Sequence, residues 1–485
     1  MAGEDRTGLE PWKRAELPAP PPTQGLRILA VIGPGAILLG SAIGSGEWLV
    51  GPAAFVKYGL TLLWVSSVAI FLQTVLNTEL VRYTLYTGEP AVTGFMRTRP
   101  HARFWAFFYV FLYLAQAGWP AWAGAAAGAT FYLIAGSLPG EGDSGQVYWI
   151  GVAIYLACVA ILLVGRRIER TLELLNWVLV SVILGGLLIL CVIVAPPERW
   201  AAAAAGFTGY DWFGGGFNFM PRDADWFLIG AFAAYSGAGG IANLNLSNWS
   251  RDKGFGMGKV VGFIPTATAG GKIVPLAHTG SVFTPDAESM TRWRGWWRIV
   301  RADQWGVFFV GALLGVALPA ILYTATLSPG EDIRGLGVAA ALADAFGSGT
   351  SLAIAVAFMG AWLLFKAQLD ILEGTVRAVT DILWSGSASA RKWSRGDVRW
   401  VYYSVLAVFV VWGLIAMGLA QPIFLLQVSA NVAGVVMVIS SLHILYVNTR
   451  FLPVELRPPL WRRAAMVAMS LFYGFFVALW VSTLV

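Results

Sequence analysis

Long apolar runs, separated by short polar stretches, follow one another along nearly the whole chain. Eleven runs are long enough to cross a bilayer as α-helices, because about 20 apolar residues span its hydrocarbon core. They lie at 27–57, 60–86, 104–135, 147–165, 171–195, 225–248, 305–326, 351–383, 400–418, 423–447 and 461–485. The pattern predicts an all-α polytopic membrane protein with eleven transmembrane helices.

Small residues interrupt two of these runs near their middle. The first run breaks at Gly44-Ser45-Gly46, and the sixth breaks at 236–240. Glycine weakens a helix, and at bilayer depth the freed backbone groups must line a cavity or contact protein. Glycine also serves close helix packing. Breaks that lie five spans apart nevertheless favour a transporter made of two inverted repeats, with its substrate site between the breaks.

The two repeats define a predicted order of segments along the chain. It comprises a disordered cytoplasmic tail at 1–26, a first repeat of helices 1–5 at 27–195, an extracellular loop at 196–224, a second repeat of helices 6–10 at 225–447 with a long cytoplasmic segment at 249–304, and a linker with helix 11 at 448–485. Helix 11 stands outside the repeats.

Basic residues concentrate in the connections on one side of the predicted bundle. These connections are 97–103, 166–170, 249–304, 391–399 and 450–463. Cytoplasmic connections carry the excess of lysine and arginine, so the N-terminus is predicted to be cytoplasmic. The chain is 57% hydrophobic and 12% charged, which predicts an integral membrane protein. We expect it to reside in a bacterial inner membrane. We expect the basic segments to lie on membrane lipid, and we predict no nucleic-acid partner.

A carboxylate, Glu47, follows the first break directly. A charged group at bilayer depth is costly and marks a functional site by default. Three roles stay open for it. Glu47 would hold a hard cation such as Mg²⁺ or Mn²⁺ with backbone carbonyls and water, carry a coupling proton, or hydrogen-bond to the unwound backbone of the sixth span.

Other residues at the two breaks are candidates for the same substrate site. They are Gly44, Ser45, Gly46, Tyr235, Ser236, Gly237 and Asn243. Trp48 and Tyr235 are candidate walls or gates, and packing is the alternative role for each ring.

The eighth span carries charges at helical spacing. Lys366, Asp370, Glu373, Arg377 and Asp381 place opposite charges four residues apart, so that they stack along one face. We interpret them as a charge ladder where the helix leaves the membrane. The alternative is a coupling-ion pathway that includes Asp370 and Glu373.

Three stretches resemble the Nramp family of divalent-metal transporters, which has the LeuT-type fold of the amino acid–polyamine–organocation superfamily. They are IGPGAILLGSAIGSGEW at 32–48, TELVRYTLYTGE at 78–89 and FKAQLDILEGTVR at 365–377. The resemblance implies a 5+5 inverted repeat with helices 1 and 6 broken, and a small divalent cation as substrate. It also places Asn431 near a position that helps to bind metal in the family.

The departures from the family all lie in its functional site. The Asp-Pro-Gly-Asn motif of the first span falls on residues 44–47, so glycine replaces the aspartate ligand and Glu47 replaces the asparagine ligand. The Met-Pro-His motif of the sixth span falls near 234–236, without methionine or histidine. The acidic pair associated with proton movement falls on Tyr113 and Gln116. These departures predict a rebuilt site in which Tyr113 and Gln116 line the proton route.

A second resemblance points to a different substrate. GSGEWLVGP is similar to the Gly-Ser-Gly motif of amino-acid transporters in the same superfamily. An amino-acid-like or amine solute is therefore the alternative to a small cation, and a non-transporting sensor or scaffold is the alternative from another class. The sequence has no zinc, Walker or serine-nucleophile motif, so we predict neither an enzyme nor a cofactor.

Overall fold

The structure is a computed structural model of the full chain. It describes residues 7–23, 25, 31–44, 46–163, 168–264, 276–330, 333 and 336–484. Of residues 168–175 and 179 it describes the backbone alone.

Helices make up most of the described chain. The first ten, in chain order, are α1 (Pro34–Ile43), α2 (Gly51–Tyr58), α3 (Leu63–Thr87), α4 (Ala91–Met96), α5 (Ala102–Ala117), α6 (Ala121–Ala135), α7 (Ser144–Leu163), α8 (Ile168–Val194), α9 (Pro197–Gly206) and α10 (Trp226–Tyr235). The second ten are α11 (Ile241–Asp252), α12 (Gly258–Val261), α13 (Ala287–Arg301), α14 (Val310–Thr326), α15 (Ala341–Ala345), α16 (Ser351–Gly386), α17 (Ala388–Trp393), α18 (Val398–Ala416), α19 (Pro422–Phe451) and α20 (Leu460–Ser482). Two π-helical stretches lie at Gly46–Val50 and Ala302–Phe309.

Two small sheets accompany the helices. Strand β1 (Lys13–Arg14) pairs in parallel with β4 (Ser281–Val282), and β2 (Tyr210–Asp211) pairs antiparallel with β3 (Gly216–Phe217). The β1–β4 pair therefore joins the start of the chain to the predicted segment 249–304.

Within the described residues, eight helices are long and apolar enough to cross a membrane. Each coincides with one predicted run. The seventh run is part of a continuous helix at 287–326, so the predicted segment 249–304 ends as helix and not as loop. The three remaining predicted runs each coincide with two shorter helices: α1 and α2, α5 and α6, and α10 and α11.

The predicted disorder of the tail at 1–26 is wrong for residues 7–23, which we call the N-terminal strap. The strap packs across the ends of the helices, and Leu17 within it is fully buried. Arg292 and Trp296 of α13 donate hydrogen bonds to the carbonyls of Leu17 and Pro18 at 2.7 and 2.8 Å. The sequence suggested disorder because the strap is rich in proline and charge. In the structure, side chains of α13 donate hydrogen bonds to its backbone carbonyls.

The turn after α3 anchors the strap through a buried ion pair. Glu89 bonds to Arg97 at 2.5 Å and also accepts hydrogen bonds from Tyr83 at 2.6 Å and from Trp12 of the strap at 3.0 Å. Burial by itself raises the pKa of Glu89, but Arg97 and these donors outweigh it and hold the pKa below its ordinary value of 4.5. The charged carboxylate is therefore the form that stabilises the fold.

This anchor predicts a pH-dependent contribution to stability. Because the pKa of Glu89 is lower in the folded state, its contribution is complete above pH 4.5 and is lost as the pH falls through the folded value. We expect the melting temperature of Glu89→Gln to lie below that of the wild type at neutral pH. The gap should close as the pH falls below 4.5. A gap that stays constant across that range would contradict the assignment.

Candidate functional site

The two predicted breaks meet at the centre of the bundle. Gly46 packs so closely on the carbonyl oxygen of Tyr235 that any side chain at position 46 would overlap it. Gly44 packs in the same way on Ala367 of α16. The small residues of the first break are therefore needed for direct contact with the end of α10 and with α16. Ser45 lies outside the described residues.

Gln73 of α3 holds the unwound backbone of the second break. Its side-chain oxygen accepts hydrogen bonds from the amides of Ala238 and Gly239 at 2.9 and 3.1 Å, and from the Asn243 side chain at 3.3 Å. Its side-chain nitrogen donates to the carbonyl of Ser236 at 2.8 Å. One buried amide thus replaces the helical hydrogen bonds that the break removes. Gly237, between these groups, has a left-handed φ of 97°.

Gln116 and Tyr113 of α5 contact the other side of the second break. The Gln116 side chain accepts a hydrogen bond from the amide of Ile241 at 3.0 Å and donates to the carbonyl of Gly239 at 3.1 Å. The Tyr113 hydroxyl donates to Asn245 at 3.0 Å. The resemblance predicted both residues to line a proton route, and their observed contacts hold the second break and α11.

Glu47 lies in the π-helical stretch next to these contacts and is fully buried. No side chain among the described residues donates a hydrogen bond to either carboxylate oxygen, and the backbone amide of Gly237 at the second break faces the carboxylate. On α14, a Cβ added at Gly315 would lie 3.6 Å from Cγ of Glu47. A buried acid without a side-chain donor is costly to ionise, so the site has an acidic group that the described side chains do not satisfy.

Aromatic rings surround the two breaks. Trp48 meets Tyr323 edge-on with ring centroids 6.1 Å apart, and Trp122 meets Tyr235 at the same separation. The indole nitrogen of Trp122 and the hydroxyl of Tyr323 are buried and lack a hydrogen-bond partner among the described residues. The region near the breaks therefore contains donor atoms, on Trp122 and Tyr323, and acceptor atoms, on Glu47, that no described side chain pairs.

Of the remaining predicted site residues, Tyr235 and Ser236 lie at the second break and Asn431 lies away from it. The Tyr235 hydroxyl bonds to Ser429 at 2.5 Å, and the Ser236 hydroxyl bonds to Ser66 at 3.0 Å. Asn431 does not reach the break. Its side chain donates to the carbonyls of Phe227 and Gln427 at 3.0 and 2.9 Å, so it fastens α19 to the opposite end of α10.

The charges of the eighth span are buried, and they pair with α11 as well as along their own helix. Arg377 pairs with Glu373 on its own helix and with Asp252 of α11. Arg251 bonds to Asp252 and to Asp381, each at 2.5 Å. The Trp249 indole donates to Glu373 at 2.8 Å. Spacing along one helix predicted the Glu373–Arg377 pair correctly, but it missed α11, which supplies the other partners.

Gln73, Ser66 and Asn77 contact the sixth-span segment without having been predicted as site residues. Asn77 accepts a hydrogen bond from Asn243 at 2.8 Å. All three lie at 66–77, inside an apolar run of the sequence, and all are fully buried. The sequence feature that could have identified them is the presence of isolated amide and hydroxyl side chains within an apolar span.

Gln73 gives a direct test of how the second break is held. Replacing it with leucine removes its hydrogen bonds to the break and leaves buried amides and a carbonyl unpaired. We expect Gln73→Leu to lower the free energy of unfolding by about 2 kcal/mol. Thermal unfolding in detergent measures this, with Gln421→Leu, at the exposed start of α19, as the matched control. Equal melting temperatures for the two variants would contradict the role of Gln73.

Comparisons with solved structures identify the fold. The manganese transporter of Eremococcus coleocola, in complex with an aromatic bis-isothiourea substituted compound, is 15% identical with a TM-score of 0.62, covering 98% of this chain and 90% of that chain. A glutamate-to-glutamine mutant of that transporter is 15% identical with a TM-score of 0.63, and the match covers 97% of this chain and 90% of that chain. The chain matches no protein-family model and no curated protein. It is an integral membrane protein that shares the fold of these metal-ion transporter structures.

Proposed function

We propose that the protein is a secondary-active transporter that moves a small cation, Mg²⁺ or Mn²⁺, across a bacterial inner membrane by alternating access. In this proposal the chain is a LeuT-type 5+5 inverted repeat with eleven transmembrane helices, in which α1 with α2 and α10 with α11 are the broken helices 1 and 6. The N-terminus is cytoplasmic, and the substrate binds between the two breaks.

The unpartnered carboxylate of Glu47 carries this proposal. It lies in the broken first helix directly after Gly46, which contacts the carbonyl oxygen of Tyr235, and it has no hydrogen-bond donor among the described side chains. Mg²⁺ keeps several water ligands and needs few protein oxygens, so one carboxylate with backbone carbonyls suits it. Among the described residues, no three histidine, cysteine, aspartate or glutamate side chains are grouped so that they could hold a metal ion. We therefore assign the recognition of the ion to Glu47, in place of the family's ligand set.

We also propose a coupling proton as a co-substrate. Its route would use Glu47 together with the polar groups that line the second break and the eighth span, namely Tyr113, Gln116, Asp370 and Glu373. The contacts of Gln116 with Gly239 and Ile241 support this route, because they connect the break to α5 by polar groups.

The aromatic rings support a second candidate, an organic amine or amino-acid-like solute. Trp48, Trp122, Tyr235 and Tyr323 surround the breaks, and an ammonium group binds well to aromatic faces beside a carboxylate. The unpaired indole and phenol groups of Trp122 and Tyr323 would hydrogen-bond to such a solute but not to a bare metal ion.

Uptake by proteoliposomes tests the two candidates together. We expect purified wild type to take up Mn²⁺ and Mg²⁺ above protein-free liposomes, faster with an inwardly directed proton gradient. Excess choline, methylamine or an amino-acid mixture should leave this uptake unchanged. Uptake of radiolabelled amine or amino acid without any metal uptake would overturn the metal substrate and favour the organic one.

A further inference from the structure

A buried ion pair on α16 lies against the first half of the broken first helix. Lys366 bonds to Asp370 one turn further along, and their side chains are 3% and 0% exposed. The hydroxyl of Ser41 on α1 donates to Asp370 at 3.3 Å. The network of Arg377 and Asp252 is a separate group on the following turns.

Asp370 ties three helices together through one carboxylate. It accepts hydrogen bonds from Lys366 on α16 and from Ser41 on α1, and the Asn176 side chain of α8 lies beside it. Gly40 permits this arrangement, because a side chain there would overlap Asn176 and lie 3.5 Å from the Asp370 carboxylate. Hence α1 cannot move away from α8 and α16 without separating these groups.

Adding a proton to Asp370 would remove the negative charge that holds this cluster together. The neutral carboxylic acid is a weaker acceptor for Ser41 and Asn176, and it leaves the Lys366 ammonium buried without a counter-charge. Glu373 on α16 and Cys158 on α7 are the other titratable groups near Lys366. Glu373 is engaged by Arg377 and Trp249, and the Cys158 thiol contacts the Phe365 carbonyl at 3.6 Å, so neither replaces Asp370 as its partner.

We propose that the Lys366–Asp370 pair is the proton-binding switch that releases α1 from α16, a deeper statement of the coupling that the proposed transport function includes. A proton from outside water forms an O–H bond on Asp370 and breaks the ion pair. Separation of α1 then admits water to the ammonium of Lys366. Loss of the proton to the inner solution restores the carboxylate and the pair, so one proton crosses per cycle.

Hydrogen–deuterium exchange tests the switch without any substrate. Asp370→Asn mimics the protonated acid, and we expect amides of residues 34–43 to exchange at least about tenfold faster than in the wild type at the same pH. Lys366→Met with Asp370→Asn removes both charges, and exchange should return to within about threefold of the wild type. Glu79→Gln is the matched control, because Glu79 is a buried acid whose ion-pair partners, Arg82 on α3 and Arg462 on α20, do not lie on α1.

Two results would overturn the switch. One is unchanged exchange at 34–43 in Asp370→Asn. The other is exchange in the double variant that is as fast as in Asp370→Asn, which is the result of ordinary loss of packing. Restored protection by a second substitution supports an effect of the unpaired charge.

Proton flux then links the switch to transport. With a pH dye inside proteoliposomes, Mn²⁺ added outside should acidify the interior for the wild type. The double variant should take up Mn²⁺ down its own gradient without acidification. If the double variant acidified the interior as much as the wild type does, the proposed switch would be overturned. Absence of Mn²⁺ uptake by the wild type would instead overturn the proposed function, and the exchange result would still decide whether the pair is a switch.

Discussion

Replacing Arg377 with methionine is expected to lower the free energy of unfolding by about 3–5 kcal/mol, the largest stability effect that we predict. The Arg377 side chain is fully buried between Glu373 and Asp252. Methionine keeps much of its length but none of its charge. The substitution leaves Glu373 buried without its cation and leaves Asp252 with Arg251 alone. A buried charge without its counter-charge costs more than the pair contributes.

Thermal unfolding in detergent, followed by intrinsic tryptophan fluorescence, measures this effect. Arg399→Met is the matched control, because Arg399 pairs with Asp397 and both side chains are about one-third exposed. An exposed pair contributes no more than about 1 kcal/mol. Equal destabilisation by the two substitutions would show that burial of the network does not determine its contribution.

The second large effect is on transport. Glu47→Gln is expected to reduce uptake of Mn²⁺ and Mg²⁺ by at least about 100-fold, because the amide removes the one charge that Glu47 brings to the break. The fold should survive, since the glutamine is uncharged and close to isosteric with the buried acid. Its melting temperature should equal or exceed that of the wild type, because an unpaired buried carboxylate is removed.

Initial uptake rates in proteoliposomes at matched protein density measure this effect. Glu141→Gln, on the exposed connection before α7, serves as the matched control and should transport like the wild type. Uptake by Glu47→Gln within about twofold of the wild type would instead assign Glu47 a structural role.

Features that depend on one stretch of sequence could be predicted. The breaks at Gly44–Gly46 and 236–240 were visible because glycine and serine interrupt apolar runs, and the structure brings them into contact. The location of Glu47 next to the first break follows from the same stretch. Eight predicted runs correspond to long apolar helices in the described part of the chain, because length and hydropathy are local properties.

Features that depend on contacts between distant segments could not be predicted. Gln73 lies more than 160 positions before the break that it holds, and sequence order does not reveal which helix faces that break. Asp252 and Arg251 complete the network of α16 from another helix. The N-terminal strap has the composition of a disordered tail, and its order depends on donors supplied by α13.

The central claim is that a cation binds at Glu47, between the two breaks. The most direct measurement is a crystal structure of the wild type soaked in Mn²⁺, with anomalous scattering recorded at the manganese absorption edge. The account predicts an anomalous peak within about 2.5 Å of a Glu47 carboxylate oxygen and of a backbone carbonyl at a break. A site without a peak in crystals that contain Mn²⁺ elsewhere, or a peak that persists unchanged in Glu47→Gln, would contradict the claim.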